Sequence, residues 1–231
     1  MITTASPLQP IQPPHGALPP LQNGDRLSRA EFERRYEGMP GVKKAELIDG
    51  VVYMPSPVKH AQHGRPHLIV STWLGVYMSL VPTVDGGDNS TLRLDLDNEP
   101  QPDGFLRLLP ENGGQTMIDA DGYLVGGPEL IVEVAATSAS YDLNQKLHVY
   151  RRHNVKEYIV WRVLDRTVDW FVLRDDLYER LPMTEGVYRS PLFPGLWLDP
   201  EALVGDDIGR VLAALWQGMK RTPPQPAEGM S

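Results

Sequence analysis

The chain contains no cysteine, so it cannot form a disulfide framework, a thiolate nucleophile or a cysteine zinc site. It has no apolar run near the length of a membrane span, and its first residues lack the basic start and apolar stretch of a signal peptide. We therefore expect a cytoplasmic protein without membrane contacts. Positive charge is also scarce, with 22 Lys and Arg against 30 Asp and Glu. The net charge of −8 argues against a surface that attracts nucleic acid by bulk charge.

What the chain does have is enough apolar material for one substantial core. With 231 residues, of which 41% are hydrophobic, it is short for two full domains. Prolines crowd residues 1–24, where large apolar side chains are few, so we expect a disordered arm there. The same reasoning predicts a disordered tail at 221–231, and residues 25–220 are expected to form a single domain.

Apolar periodicity predicts both helices and strands in this domain. Ser28 and Glu31 have the spacing of a capping box at the start of a first helix. The segment 46–54 alternates around Asp49 and Gly50, which accept the positive φ of a tight turn and so predict a β-hairpin. Further helices are predicted over 65–81, around 143–150 and over 208–219, and strands near 83 and over 90–96, 104–109, 130–135, 158–163 and 167–173. The expected fold class is α/β (α+β), built around one sheet.

Glu133 is the first candidate for chemistry, because it interrupts the apolar strand LIVEVA, residues 130–135. Continuous apolarity indicates that both faces of this strand are covered. A carboxylate among buried apolar side chains must be protonated, ion-paired or bound to a metal, because an unpaired buried charge is very costly. A salt bridge to Lys146 or to an arginine and a functional site both explain it, and both explanations stay open.

Lys146 lies on the apolar face of the following helix, so its ammonium leaves from the side that packs on the sheet. An i, i+4 pair with Asp142 is the ordinary explanation, but an exposed pair of this kind contributes only about 0.2–0.5 kcal/mol. Asp103 follows a proline at the start of another apolar strand. Two carboxylates and one ammonium in an apolar setting are suited to holding a divalent cation and attacking a phosphodiester. This pattern indicates a metal-dependent nuclease.

Several segments, taken in order, resemble one known family, the Uma-type restriction endonucleases within the PD-(D/E)XK nuclease superfamily. The segments are ELIDG, a helix start with a histidine, Pro102-Asp103, GGPELIVEVAATS, DLNQKLHVY, NVKEYIVW and SPLFPGLWLD. They cover roughly residues 45–198. The resemblance implies a restriction endonuclease-like mixed central sheet flanked by helices, with the hairpin as an N-terminal β-hairpin extension. It also implies Mg²⁺-dependent cleavage of nucleic acid, with Asp103 as the motif aspartate and Glu133 as the motif glutamate.

The chain departs from the superfamily pattern at Ala135, which stands where the motif lysine is usual, two residues after the second acid. Members of the Uma type look as though this lysine has moved to the following helix. The resemblance therefore assigns its role to Lys146. Such a move is physically reasonable, because only the position of the ammonium near the attacked phosphate matters.

The resulting hypothesis is a Mg-dependent endonuclease that hydrolyses phosphodiester bonds of DNA. Asp103, Glu133 and the carbonyl of Val134 would bind Mg²⁺, or Mn²⁺ in its place, and activate a water. Lys146 would stabilise charge on the phosphate or help to position the water. Glu46, at the head of the hairpin, resembles the acid that many nucleases of this fold supply from an early element, and would bind a second ion, or the first ion through a water. An ordinary exposed acid at a strand end explains Glu46 equally well.

The histidines His60, His63 and His67 are spaced like metal ligands on one helical face. Pro66 disrupts the preceding turn, however, and no glutamate follows the first histidine as in a zinc protease, so a three-histidine zinc site is disfavoured. His60 resembles the histidine at the helix start in the family. We expect it to line the site and to bind substrate phosphate.

Two other functions stay open beside DNA cleavage. A catalytically inactive binding or regulatory domain with the nuclease fold would account for the acidic balance and for Ala135. A metal-dependent enzyme acting on a small phosphorylated molecule would need no positively charged surface for a nucleic-acid backbone. The late strands and the last helix offer apolar surface for a homodimer, which two cuts on a duplex would suit.

Overall fold

The structure, a computed structural model, describes residues 18–55 and 59–223. Most of the predicted arm and most of the predicted tail lie outside these ranges. Leu21 is only 4% exposed and packs in a small cluster with Phe32 and Val52, so folded structure begins before the expected boundary at residue 25. None of the helices in the described ranges has both the length and the apolarity that a bilayer crossing requires.

Helices and strands are interspersed along the chain, and each is labelled in chain order. The helices are α1 Arg29–Glu37, α2 Arg65–Leu80, α3 Ala139–Tyr141, α4 Leu147–Arg152, α5 Pro200–Val204 and α6 Ile208–Arg221. One π-helical turn, His60–Gly64, leads into α2, another, Asp142–Lys146, joins α3 to α4, and a 3-10 turn covers Pro110–Asn112. The strands are β1 Glu46–Ile48, β2 Val51–Tyr53, β3 Val84–Gly87, β4 Leu92–Arg93, β5 Gly104–Leu108, β6 Met117–Ile118, β7 Leu124–Val125, β8 Leu130–Ala135, β9 Glu157–Arg162, β10 Thr167–Arg174, β11 Leu177–Arg180, β12 Tyr188–Arg189 and β13 Trp197–Leu198.

Six of these strands form the central sheet, in the order β11, β10, β9, β8, β5, β3. β8 and β9 run parallel and the other neighbours are antiparallel, so the sheet is mixed. β8 is buried along its whole length, as its continuous apolarity predicts. The expected fold, a mixed central sheet flanked by helices, is confirmed.

Both faces of the sheet carry a hydrophobic core. On one face, Val132 and Val134 of β8 pack in a cluster to which α2, α5 and α6 contribute. On the other face, Ile131 and Ala135 pack in a cluster that includes Tyr150 of α4. Side chains alternate along a strand, so Glu133 shares the second face with Ile131 and Ala135. The acid is thereby directed toward the helical segment that carries Lys146.

The predicted hairpin is present, with β1 and β2 paired antiparallel. Its two turn residues, Asp49 and Gly50, have φ values of +49° and +71°, as a two-residue hairpin turn of this type requires. The hairpin places Glu46 at the first position of β1, where it is only 5% exposed. Glu46 is therefore not an exposed acid at a strand end.

Two local predictions are wrong. Ser28 is the N-cap residue of α1, but its side chain makes no capping hydrogen bond. Glu31 instead accepts hydrogen bonds from Arg34 and Arg35, one turn further along the helix. The strand expected over 90–96 shrinks to β4, because Asp95 ends it by accepting hydrogen bonds from the next residues in a tight turn.

Candidate functional site

Asp103 and Glu133 meet at the end of the β5–β8 ladder. In this antiparallel pair Gly104 lies opposite Val132, so continuing the register by one residue puts Asp103 opposite Glu133. Residues opposite each other in an antiparallel pair present their side chains on the same face, within contact distance. Both side chains are buried, with 2% and 3% of each residue exposed. The two acids that the sequence singles out are therefore neighbours.

Val134 ties Asp103 to β8. Its backbone N–H donates a hydrogen bond of 2.8 Å to Asp103 Oδ2. The carbonyls of Glu129 and Ala135 both point to the β9 side, where they accept from Glu157 and Val163. Along an extended strand, adjacent residues turn their backbone polar groups to opposite sides. The carbonyl of Val134 therefore lies on the same side of β8 as Asp103.

Lys146 joins Glu133 to the hairpin. Its Nζ lies 2.8 Å from Glu133 Oε1 and 2.8 Å from Glu46 Oε1, with Asp142 Oδ1 at 3.8 Å. Tyr150 also donates a hydrogen bond of 2.9 Å to Glu133 Oε1. The structure thus brings Glu46, Glu133 and Lys146 together, although β1 is far in the chain from β8 and the second π turn.

Lys44 and His63 also reach Asp103, and the sequence reasoning did not assign either of them a role there. Lys44 Nζ lies 3.2 Å from Asp103 Oδ1, and His63 Nε2 lies 3.3 Å from Oδ2. His67 Nε2 lies 2.8 Å from the backbone oxygen of Asp103. The sequence contains only weak indications of these contacts: a lysine just before the hairpin, and two histidines four residues apart. These groups surround Asp103 with cationic or hydrogen-bonding partners.

His60 is exposed at the first position of the π turn, and the histidine that contacts the Asp103 side chain is His63. The rings of His63 and His67 stack with their centroids 5.6 Å apart. Within residues 18–55 and 59–223, no three His, Asp or Glu side chains are grouped closely enough to hold a metal ion by themselves. A binding role of His60 stays a prediction.

Both π turns carry residues of this cluster. The turn His60–Gly64 presents His63, and the turn Asp142–Lys146 presents Lys146. A π turn inserts an extra residue into a helix and thereby changes the direction of the side chains beside it, and such turns are frequent at functional sites. The two distortions flank the same pair of acids, which supports a functional origin for the cluster.

Burial and charge push the pKa values of the two acids in opposite directions. Burial alone would raise the pKa of Asp103, but the hydrogen bond from His63 and the charge of Lys44 hold it well below its usual range. Burial raises the pKa of Glu133 in spite of Lys146, and the negative charge of Asp103 adds to the rise. Neighbouring acids with separated pKa values are a common feature of catalytic sites.

The donor set fits a hard divalent cation by its chemistry. Asp103, Glu133 and the carbonyl of Val134 offer oxygen atoms on one side of the sheet end. Mg²⁺ usually takes only one or two carboxylates and keeps several waters, so a cage of three or more side chains is not required. The same groups therefore can hold Mg²⁺ together with solvent.

Comparison with known proteins gives a family for this arrangement. A family model described as Uma2, "Putative restriction endonuclease", matches residues 29–201. No curated protein matches the chain. Among solved structures, the chain is similar to the crystal structure of "a putative nuclease belonging to DUF820 from Anabaena variabilis", with a TM-score of 0.58 and 12% sequence identity over 74% of this chain and 97% of that chain. At that identity the likeness shows the fold alone.

The match between the family model and the chain confirms the resemblance that the ordered motifs indicated. It begins at the first residue of α1 and ends inside α5. It therefore includes the whole acidic cluster, which consists of Glu46, Asp103, Glu133 and Asp142 with the two lysines Lys44 and Lys146. The chain therefore belongs to the Uma2 family, described as "Putative restriction endonuclease".

Proposed function

We propose that the chain is a Mg²⁺-dependent endonuclease that hydrolyses phosphodiester bonds of DNA. The observation that carries the proposal is the charge balance of the cluster. Among the described residues, the four carboxyl groups of Glu46, Asp103, Glu133 and Asp142 outnumber the two ammonium groups beside them, those of Lys44 and Lys146, and His63 is a further partner of Asp103. An excess of buried negative charge is costly, and a divalent cation would offset it. Membership of the family supports a nuclease, and the metal and the DNA substrate are the further steps proposed.

Asp103, Glu133 and the carbonyl of Val134 would hold the ion, and Mn²⁺ could replace Mg²⁺. Once bound, the ion would supply an oriented water of lowered pKa and neutralise charge on the phosphate. The hydrogen bond from the Val134 N–H and the contact with His63 at 3.3 Å fix the carboxylate of Asp103, so its orientation does not depend on the substrate. A fixed carboxylate needs little reorganisation during the reaction.

Lys146 supplies a fixed positive charge for the phosphate. Glu46 and Glu133 hold the ammonium from two directions, and the group is almost completely shielded from water, with a side-chain exposure of 3%. The charge would stabilise the negative oxygens or help to position the attacking water. Glu46 acts through Lys146 and is therefore a positioning residue in this proposal, and His60 at the exposed rim would bind phosphate.

Metal binding can be tested directly by titrating Mg²⁺ and Mn²⁺ into the protein in a calorimeter. We expect Asp103→Asn and Glu133→Gln to weaken binding at least about 10-fold, because each removes a charged ligand. Asp165→Asn is the matched control, because this acid is exposed on the turn between β9 and β10. Unchanged affinity in both site variants would remove these residues from the metal site.

Cleavage is tested by incubating the protein with single-stranded, duplex and branched DNA in Mg²⁺ or Mn²⁺, with Asp103→Asn as the inactive comparison. An inactive nuclease-fold binding domain is the second candidate, and two observations favour it. Ala135 occupies the usual lysine position, and Lys146 is engaged by two carboxylates at 2.8 Å each. DNA binding without cleavage at any protein concentration would support this second candidate.

A homodimer in the cytoplasm completes the proposal. Trp216 on α6 is 46% exposed and Leu177 at the sheet edge is 59% exposed, so apolar surface is available on the late elements. The lack of cysteine suits a reducing compartment. Sedimentation equilibrium of the wild type and Trp216→Ser measures the association. A monomeric wild type would end the dimer proposal without affecting the site.

A further inference from the structure

Tyr141 ends α3, directly before the π turn that carries Lys146, and its ring lies inside the acidic cluster. The ring packs against that of Tyr53 of the hairpin in a tilted arrangement, with centroids 4.2 Å apart and an interplanar angle of 36°. Lys146 Nζ lies 5.4 Å from the ring centroid, in the range of a cation–π contact. These contacts fix the ring from two sides, so the position of its hydroxyl is also fixed.

The hydroxyl of Tyr141 is buried and has no hydrogen-bond partner within the described parts of the chain. Five other tyrosines that are buried or half-buried do have an acceptor. Their hydroxyls donate to oxygens of the protein in five cases, Tyr77 to Pro194, Tyr150 to Glu133, Tyr158 to Asp142, Tyr178 to Val155 and Tyr188 to Val168. A buried polar group without a partner is rare in native proteins and calls for a specific explanation.

Folding gives no reason to retain this hydroxyl, because its ring contacts would be the same for phenylalanine. A protonated phenol is a good donor and carries no charge, and burial raises the pKa of Tyr141 above the usual value, so the proton stays in place. Donor hydroxyls and ammonium groups together suit an oxyanion with several acceptor oxygens. A cation beside the ring is already present in Lys146, which the proposed function assigns to the phosphate.

We propose that the hydroxyl of Tyr141 is a binding group for the substrate, donating a hydrogen bond to a non-bridging oxygen of the phosphate. The inference rests on the proposed phosphodiester substrate. Tyr53 then serves to hold the ring of Tyr141 at the correct angle, and the hairpin contributes to substrate binding as well as to the position of Glu46. The incoming phosphate supplies the acceptor that the protein lacks.

Two variants separate binding from folding. Tyr141→Phe removes the hydroxyl that has no partner, whereas Tyr178→Phe removes one that donates 2.9 Å to the carbonyl of Val155. Binding of a fluorescent single-stranded DNA oligonucleotide in Ca²⁺ is measured by anisotropy, and stability by thermal unfolding. We expect Tyr141→Phe to bind roughly 10-fold more weakly, as loss of a hydrogen bond to a charged group implies, with an equal or higher Tm. Tyr178→Phe is expected to lower the Tm and to bind like the wild type.

Equal affinity of Tyr141→Phe and the wild type would overturn the inference, as would a loss of affinity in Tyr141→Phe that follows a matching loss of Tm. If Tyr141→Phe shows the expected loss but the wild type cleaves no DNA in Mg²⁺ or Mn²⁺, the phosphate subsite stands and the hydrolytic function fails. If the wild type binds no oligonucleotide, both proposals fail together.

Discussion

Lys146 and Glu133 form an ion pair in the interior of the protein, with Nζ 2.8 Å from Oε1 and side-chain exposures of 3% and 4%. The same ammonium lies 2.8 Å from Glu46. A buried pair of this kind adds little net stability compared with apolar residues, but removal of one member leaves a charge without compensation. The stability of the protein is therefore expected to fall more when one member of the pair is replaced than when both are replaced together.

The first prediction follows from this asymmetry. Lys146→Met is expected to lower the free energy of unfolding by about 3–5 kcal/mol, because it leaves two carboxylates unpaired. The double variant Lys146→Met with Glu133→Gln is expected to recover a large part of that loss. Urea denaturation at neutral pH measures both. A double variant less stable than Lys146→Met alone would contradict the proposed charge balance.

The second prediction concerns Lys44, which is 3.2 Å from Asp103 and has a side-chain exposure of 22%. Its positive charge opposes a cation at Asp103, so Lys44→Met is expected to raise the affinity for Mg²⁺ roughly 5-fold, a modest gain because the group is partly screened. Lys43→Met is the control, because Lys43 is adjacent in the chain but exposed. Equal Mg²⁺ affinities of the two variants in calorimetry would place the ion away from Asp103.

The sequence permitted a correct prediction that the side chains of Glu133 and Lys146 point into the protein, because their direction follows from strand alternation and helical spacing. Glu133 is the polar residue in an apolar strand, and Lys146 is on the apolar face of a helix, so both were directed inward. The hairpin turn was predictable because Asp49 and Gly50 accept a positive φ. Residue patterns of this kind depend on local geometry alone.

Lys44 and His63 could not be predicted in the same way, because their positions depend on tertiary structure. Lys44 lies in an irregular segment without periodicity, and His63 lies in a π turn, which shifts the helical register that periodicity assumes. The short strands β12 and β13 were not predicted, for a related reason. Two-residue strands carry too few side chains for an alternation to be visible.

The third prediction concerns Glu157, a buried acid outside the site. It accepts hydrogen bonds from Trp170, Ser190 and the backbone of Leu192. Burial nevertheless raises its pKa from 4.5 to about 7, so the folded state binds the proton more tightly than the unfolded state. The stabilising contribution is complete below pH 4.5 and is lost as the pH rises through about 7.

Glu157→Gln removes this pH dependence. The stability of the wild type relative to the variant is expected to fall by up to about 3 kcal/mol between pH 4.5 and pH 8. Free energies of unfolding in urea across this range provide the measurement, and Glu111→Gln is an exposed control. A difference between wild type and Glu157→Gln that stays constant with pH would show that the acid keeps an ordinary pKa.

The fourth prediction compares two glycines inside helices. A Cβ at Gly75 of α2 would meet nothing within 4 Å, whereas a Cβ at Gly218 of α6 would lie 2.4 Å from the backbone oxygen of Gly195 and 2.6 Å from Trp197 Cγ. Gly75→Ala is expected to stabilise the protein by about 1 kcal/mol, because alanine favours a helix over glycine. Gly218→Ala is expected to destabilise it by about 2 kcal/mol, because α6 must move away from β13 to relieve the overlap.

In thermal unfolding these changes correspond to a rise in Tm of about 2–4 °C for Gly75→Ala and a fall of about 4–8 °C for Gly218→Ala. The same substitution thus has opposite signs at two helical sites, and helix propensity alone predicts a rise for both. A rise in both variants would mean that α6 does not approach Gly195 as closely as described, and that the packing of α6 on β13 is loose enough to admit a methyl group.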